Sequence, residues 1–213
     1  MVKSSKIFVG YRALGFVCNH VPLSLRYINR RNENLVVTAI GQSFHTYGCS
    51  KLDLLSVRGQ HPGDISYLTS DAYLAYTACE NIIYAWRRGT ELKHTYKGPD
   101  ENVVLLLPFG PHLIAVYEDN TVIIWDIKAE EISIEILFCN FIITTILHPS
   151  TAVLAIAMDN FVINLVDIES RQIIREFGDN AGNITDMTFS ADFKWLIAAV
   201  ADSSIKTWDI SSG

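Results

Sequence analysis

The feature that most constrains the fold is a nine-residue pattern that recurs along the chain. Residues 119–127 read DNTVIIWDI, and residues 202–210 read DSSIKTWDI. When the segments are aligned on Trp125 and Trp208, three weaker copies align with them. The corresponding anchor positions of these copies are Tyr47, Trp86 and Val166, and successive anchors are 39, 39, 41 and 42 residues apart. A period of about 40 residues is typical of repeated supersecondary units that stack on one another.

Each repeat contains about four short apolar segments. The third repeat shows them as NVVLLLPFG, HLIAVYEDN, TVIIWDI and EISIEILF, separated by residues that favour turns. Several segments are apolar at consecutive positions, so we expect neighbouring sheets to cover both faces of these strands. No segment keeps a 3.6-residue apolar period for more than about two turns. The pattern therefore predicts an all-β protein, a β-propeller of about five four-stranded blades in a possibly incomplete or irregular ring.

The fifth repeat ends after its third strand. A strand from the other end of the chain would pair the unsatisfied backbone groups and close the ring. Residues 7–18, IFVGYRALGFVC, are the natural candidate for this closing strand. The repeats then supply 19 strands, and the closing strand completes five blades of four.

Charge is unevenly distributed along the chain. The formal net charge is −6, although the first 32 residues contain no acidic residue. One interpretation is that this segment contacts phosphates. The alternative is that its charges lie on solvated loops and strand edges, and the negative charge of the remainder opposes general nucleic-acid binding. The six candidate phosphate contacts are Lys3, Lys6, Arg12, Arg26, Arg30 and Arg31.

No motif for catalysis, for a cofactor or for a metal ion is present. There is no phosphate-binding loop, no H-E-x-x-H and no G-x-S-x-G. The six histidines fall singly in different repeats, and the four cysteines lack zinc-binding spacing. The sequence therefore predicts a non-enzymatic protein that has no cofactor, no small-molecule substrate and no membrane span, and whose cysteines are free.

The anchor segments resemble the WD-repeat family. The resemblance rests on Trp125-Asp126, Trp208-Asp209 and the degenerate Val166-Asp167, together with Asp119, Asp159 and Asp202 six or seven residues before these anchors. It implies that a turn aspartate, an upstream histidine and the tryptophan share a buried hydrogen-bond network, so that these residues are structural. Only His61, 25 residues before Trp86, has a suitable spacing. We therefore expect divergent repeats with incomplete networks.

Longer stretches resemble one branch of that family, the U3 small-nucleolar-RNA-associated WD-repeat proteins of the small-subunit processome. IFVGYRALGFVCN, SFHTYGCSKLDLLSV and TTILHPS are similar to the first propeller of these proteins. DNFVINLVDIESRQIIREF and residues 189–213 are similar to late units of the second propeller. The resemblance implies an internally shortened form with a seam near Pro149 to Val153. Residues 1–213 then form one propeller-like domain, with 1–150 and 151–213 drawn from different propellers.

This resemblance implies a scaffold subunit in ribosome biogenesis. Such a chain is expected in the nucleus and nucleolus, bound to proteins of the pre-ribosomal small-subunit particle during maturation of pre-18S rRNA. One alternative is direct RNA binding by the basic amino-terminal segment, with Tyr11, Tyr27 and Arg30 as stacking or phosphate-binding groups. Another is a WD-repeat adaptor outside ribosome assembly.

Overall fold

In a computed structural model of the protein, all the regular secondary structure of the described residues is β-strand. The structure describes residues 18–29, 32–58, 60–170, 172–178 and 180–211. These residues form 19 strands in five separate antiparallel sheets, and sequential strands are neighbours in every sheet. The predicted propeller architecture and the 19 repeat strands are therefore confirmed.

The strand bounds follow the repeat period. The first blade contains β1 (Ser24–Ile28), β2 (Glu33–Ile40), β3 (Ser43–Gly48) and β4 (Asp53–Arg58). The second contains β5 (Tyr67–Ser70), β6 (Leu74–Cys79), β7 (Ile82–Arg87) and β8 (Glu91–Lys97). The third contains β9 (Val103–Phe109), β10 (His112–Tyr117), β11 (Thr121–Asp126) and β12 (Glu131–Leu137). The fourth contains β13 (Ile142–Leu147), β14 (Val153–Met158), β15 (Ile163–Asp167) and β16 (Gln172–Phe177), and the fifth contains β17 (Ile184–Phe189), β18 (Trp195–Val200) and β19 (Ile205–Asp209).

The first strand of each sheet lies innermost. Neighbouring blades approach each other mainly through these strands, as β5 does with β9 and β13 with β17. A separate apolar cluster fills each of the four blade interfaces. The second and third strands supply most of the buried side chains, because a neighbouring blade covers both faces of these strands.

The turn between the second and third strands is similar in all five blades. One residue in each turn has a positive φ, which is the backbone twist that tight hairpins require. Only the first blade uses glycine there, and the other four blades place an L-residue in this sparsely populated region. The five residues are Gly41, Glu80, Asn120, Phe161 and Ser203.

The outer strands differ from the expectation that apolar strands are covered on both faces. Leu54, Val57, Ile132 and Ile174 are each close to half exposed, although they lie in strongly apolar segments. They belong to β4, β12 and β16, the last strands of their sheets. The blades separate as they extend outward from the axis, so their outermost strands face solvent.

The ring is not closed within the described residues. The fifth sheet has three strands, so the outer edge of β19 has no described ladder partner. Residues 7–17 of the proposed closing strand lie outside the described residues, and closure stays a prediction. Trp208 on β19 is only partly buried, whereas Trp125 is 4% exposed. The expectation of two equally buried tryptophans is wrong because no described fourth strand covers Trp208.

Candidate interaction surface

The five anchor positions are structurally equivalent. Each anchor lies on the third strand of its sheet, and in the first four blades the ladder to the fourth strand shifts register immediately before the anchor. Such bulges bend the strand and reorient the side chain that follows. The shifts occur between Thr46 and Tyr47, Ala85 and Trp86, Ile124 and Trp125, and Leu165 and Val166. From the second blade onward, each anchor packs against the blade before it.

One blade contains a continuous buried hydrogen-bond chain behind its anchor. Trp86 Nε1 donates to Thr77 Oγ1 at 2.9 Å, and Thr77 Oγ1 lies 2.8 Å from His61 Nε2. His61 Nδ1 lies 2.9 Å from the carbonyl oxygen of Gln42. A carbonyl only accepts, so His61 Nδ1 carries the proton and His61 Nε2 accepts from the Thr77 hydroxyl.

Burial keeps this histidine neutral. His61 is 4% exposed, and its ring lies edge-on to Tyr84 and Trp86. Burial lowers the pKa of His61, and the hydrogen bond to the Gln42 carbonyl partly opposes that change. A second proton would remove the acceptor that the Thr77 hydroxyl uses. The chain of hydrogen bonds and the neutral ring therefore depend on each other.

The other anchors lack this hydroxyl. Strand register places Ala115, Ile156 and Ala198 where the second blade has Thr77. All three side chains are apolar, so none of them accepts a hydrogen bond from an anchor side chain. Trp125 Nε1 is accordingly buried without a hydrogen-bond partner among the described residues. Among the blades with a described network, the complete arrangement is found in the second.

The aspartates singled out by the repeat pattern cap turns. Asp119 accepts a hydrogen bond from the backbone N–H of Thr121, and Asp202 accepts one from Ser204. Asp119, Asp159 and Asp202 are exposed, so they are not part of the buried network that the family resemblance implies. A short carboxylate that bonds to the backbone two residues ahead is a usual way to stabilise a turn.

The aspartates that follow the anchors cap the next turn. Asp126 accepts hydrogen bonds from the backbone N–H groups of Ala129 and Lys128, and these bonds hold the pKa of Asp126 below its usual value. Asp167 and Asp209 accept corresponding bonds at the ends of β15 and β19. These three residues stabilise the connection from the third strand.

The six candidate phosphate contacts are not brought together in the described structure. Lys3, Lys6, Arg12, Arg30 and Arg31 lie outside the described residues. Arg26 is 9% exposed, and its guanidinium donates to the backbone oxygen of Ala72 in the second blade. Tyr76 donates to Asp71 beside it. Arg26 therefore holds the first two blades together, and a phosphate role for the six residues stays a prediction.

The two ends of the disc differ in charge. We call the end with the second-to-third-strand turns and the blade-to-blade connections the connection face. Backbone hydrogen bonds from Val103 to Glu80 and from Asp159 to Phe141 join these two kinds of segment. The described turns and connections of this face contain eight carboxylates and neither Lys nor Arg. The carboxylates are Asp64, Glu80, Asp100, Glu101, Glu118, Asp119, Asp159 and Asp202, and all are exposed.

The opposite end has balanced charge. Its described turns join first to second strands and third to fourth strands. They contain four basic and four acidic side chains: Lys51, Arg88, Lys128, Lys194, Asp71, Glu130, Glu169 and Asp192. The acidic character of the chain is therefore concentrated at one face. Such a field attracts cationic partners and repels nucleic-acid phosphates.

A groove opens between the third and fourth blades. It has a volume of about 340 Å³ and is lined by residues of β9, β10 and β13 together with the turn at Glu118 and Asn120. The inner strands β9 and β13 approach each other over a shorter stretch than β5 and β9 do. A second cleft lies between the same two blades, beside Phe109, Ile134 and Ile168. Gaps are thus found on both sides of the apolar cluster that joins these blades.

The described residues contain no assembled reactive site. No three His, Cys, Asp or Glu side chains within the described ranges are placed to share a metal ion. The four cysteines are free, and they lie in different parts of the fold. None of the described residues belongs to a helix long and apolar enough to span a bilayer. Binding through the faces and grooves is therefore the activity that this geometry supports best.

The stacked four-stranded sheets, the regular anchor positions and the capped turns define a WD-repeat β-propeller protein. A family model described as the WDR36/Utp21 first beta-propeller matches residues 36–153, and one described as the WDR36/Utp21 second beta-propeller domain matches residues 109–213. The chain belongs to the WDR36/Utp21 family. The two overlapping matches are consistent with a shortened form of such a protein.

Curated relatives agree with this assignment. WD repeat-containing protein 36 of Homo sapiens is 35% identical over 178 residues, which cover 82% of this chain and 20% of the relative. The U3 small nucleolar RNA-associated protein 21 homolog of Schizosaccharomyces pombe is 27% identical over 222 residues, covering 100% of this chain and 24% of the relative. U3 small nucleolar RNA-associated protein 21 of Saccharomyces cerevisiae is 33% identical over 124 residues, 58% of this chain and 13% of its own length. The chain thus spans about a quarter or less of the length of these relatives.

Proposed function

We propose that this chain is a non-enzymatic scaffold subunit of the small-subunit processome that supports maturation of pre-18S rRNA in the nucleolus. The observation that carries the proposal is the match to both propellers of the WDR36/Utp21 family. Two of the relatives are named for association with U3 small nucleolar RNA. The domain assignment belongs to the same proposal: residues 1–150 supply units of the first propeller and 151–213 supply units of the second.

The geometry supports contact with proteins rather than with RNA. The connection face has eight exposed carboxylates in its described turns and connections. Phosphates are repelled by such a surface, whereas a rigid disc with exposed loops is suited to holding several proteins. Direct RNA binding would depend on the basic amino-terminal segment. Salt-sensitive binding of a U3 or pre-rRNA fragment by the isolated chain would favour that alternative.

A rescue experiment tests the proposal. The tagged chain is expressed in cells depleted of the endogenous WDR36/Utp21 protein, and its location and the level of mature 18S rRNA are measured. We expect nuclear and partly nucleolar staining with poor rescue, because an interface of ordinary size needs about 20 to 30 residues a side in fixed geometry. Full rescue would show that the remaining length of the relatives is dispensable. A purely cytoplasmic location would contradict the proposal and favour an adaptor outside ribosome assembly.

A further inference from the structure

The groove between the third and fourth blades has an apolar rim that is open to solvent. Val104 is 42% exposed, Phe141 is 63% exposed and Ile143 is 40% exposed, and all three line the groove. Single exposed apolar side chains are ordinary on a protein surface, but several around one concavity mark a binding site. The volume is at the lower end of the range for small-molecule pockets, about 300 to 1,000 Å³. It suits one or two side chains of a larger partner.

The walls of the groove are two free sheet edges. β9 is the last strand in the order of the third sheet, and β13 is the first strand of the fourth. Each strand therefore has one side without a ladder partner in its own sheet. An extended segment laid along such an edge gains main-chain hydrogen bonds, while its alternate side chains enter adjacent pockets. This geometry favours a partner segment in extended conformation.

The charge around the groove selects the partner chemistry. Glu118 lines the groove, and Asp119 and Glu101 are in the neighbouring turn and connection. The Glu118 carboxylate accepts a hydrogen bond from the Asn102 amide at 3.0 Å. No ion pair between a described Lys or Arg and these three carboxylates is present. Lysine or arginine side chains beside an apolar anchor would complement this surface, whereas an acidic peptide or a nucleic acid would be repelled.

We propose that this groove binds an extended, lysine- or arginine-rich segment of a partner protein, with one apolar side chain of that segment inserted between β9 and β13. The inference rests on the proposed function, because it names the partner chemistry for the scaffold. The apolar side chain occupies the rim formed by Val104, Phe141 and Ile143. The flanking basic side chains pair with Glu118 and the adjacent carboxylates of the connection face.

Peptide binding by the purified full chain tests this proposal. The probe is a fluorescent hexapeptide of sequence Arg-Lys-Leu-Ile-Lys-Arg, and its binding is followed by anisotropy. Two further peptides replace either its basic residues with Glu or its apolar residues with Ser. We expect only the first peptide to bind at micromolar concentration, and its affinity to fall with added salt because exposed charges are screened within about 10 Å at 0.1 M.

Two groove variants and two matched controls locate the site. Glu118→Lys reverses the charge, and Phe141→Ser removes the most exposed apolar side chain of the rim. Each should weaken the probe by roughly tenfold, which corresponds to about 1.4 kcal/mol. The controls are Glu131→Lys at the opposite end of the third blade and Leu54→Ser on the outer strand of the first blade, and these should bind as the unmodified chain does. Circular dichroism melting checks that all four variants fold.

The outcomes separate the groove from the proposed function. Absence of probe binding, or equal binding by groove and control variants, would overturn the groove proposal. Capture of pre-ribosomal proteins from cells by the same chain would then still support the scaffold function. Probe binding at the groove without capture of such proteins would support the peptide site and reject the small-subunit processome as its context.

Discussion

The Thr77 hydroxyl is the centre of the hydrogen-bond chain in the second blade, and its removal gives the sharpest test of the repeat geometry. Thr77→Val keeps the branched shape and deletes one oxygen. Trp86 Nε1 then loses its acceptor at 2.9 Å, and His61 Nε2 loses its donor at 2.8 Å. Both side chains are more than nine-tenths buried, so water does not readily replace the lost hydroxyl.

The expected cost follows from these two unsatisfied groups. A buried donor or acceptor left without a partner costs about 1 to 3 kcal/mol. We therefore expect Thr77→Val to lower the free energy of unfolding by about 3 kcal/mol. For a chain of this size, that loss lowers the melting temperature by roughly 6 to 12 °C.

Urea unfolding followed by tryptophan fluorescence and by circular dichroism measures the effect. Thr95→Val, at an exposed position of β8, is the matched control and should change stability by less than about 0.5 kcal/mol. A double-mutant cycle with Trp86→Phe should give a coupling energy of at least about 1 kcal/mol. A loss below about 1 kcal/mol for Thr77→Val, or a loss equal to that of Thr95→Val, would refute the network.

Three further predictions concern other parts of the fold. Trp125→Ala should cost about 3 to 5 kcal/mol, the usual loss for emptying a large aromatic core site, and a loss below about 1 kcal/mol in the same assay would contradict its role as an anchor. Because burial lowers the pKa of His61, the unfolded chain binds more protons below about pH 6.5, so stability should fall from pH 7.5 to 5.5. His61→Gln should flatten that dependence, and an unchanged slope would assign it elsewhere. Native-state hydrogen exchange should be faster along β9 and β13 than along β5, and uniform protection would contradict a loose junction between the third and fourth blades.

The sequence predicted the fold well because the repeat is encoded in local patterns. The 40-residue period, the turn residues and the consecutive apolar positions are each sufficient to place strands, and together they specify a propeller. Burial was less predictable. Ile132 and Ile174 are as apolar as residues of the central strands, yet they face solvent because their strands are outermost. That distinction depends on the radial position of a strand, which a local pattern does not contain.

The site was only partly predictable from the sequence. His61 and Trp86 were identified by their spacing, but Thr77 was missed because its role depends on the pairing of β6 with β7. A threonine in the middle of an apolar segment was the available signal. The acidic connection face was also missed, because its eight carboxylates are spread from Asp64 to Asp202 and converge only when the blades stack.

Affinity capture of the tagged chain from nuclear extract, followed by identification of the bound proteins and RNAs, tests the central claim most directly. The account predicts recovery of small-subunit pre-ribosomal proteins together with U3 and pre-18S RNA. RNase treatment should leave the direct protein partners bound, because the contacts are made to proteins. Recovery of unrelated proteins without any pre-ribosomal component, or a complete loss of protein partners after RNase treatment, would contradict the account.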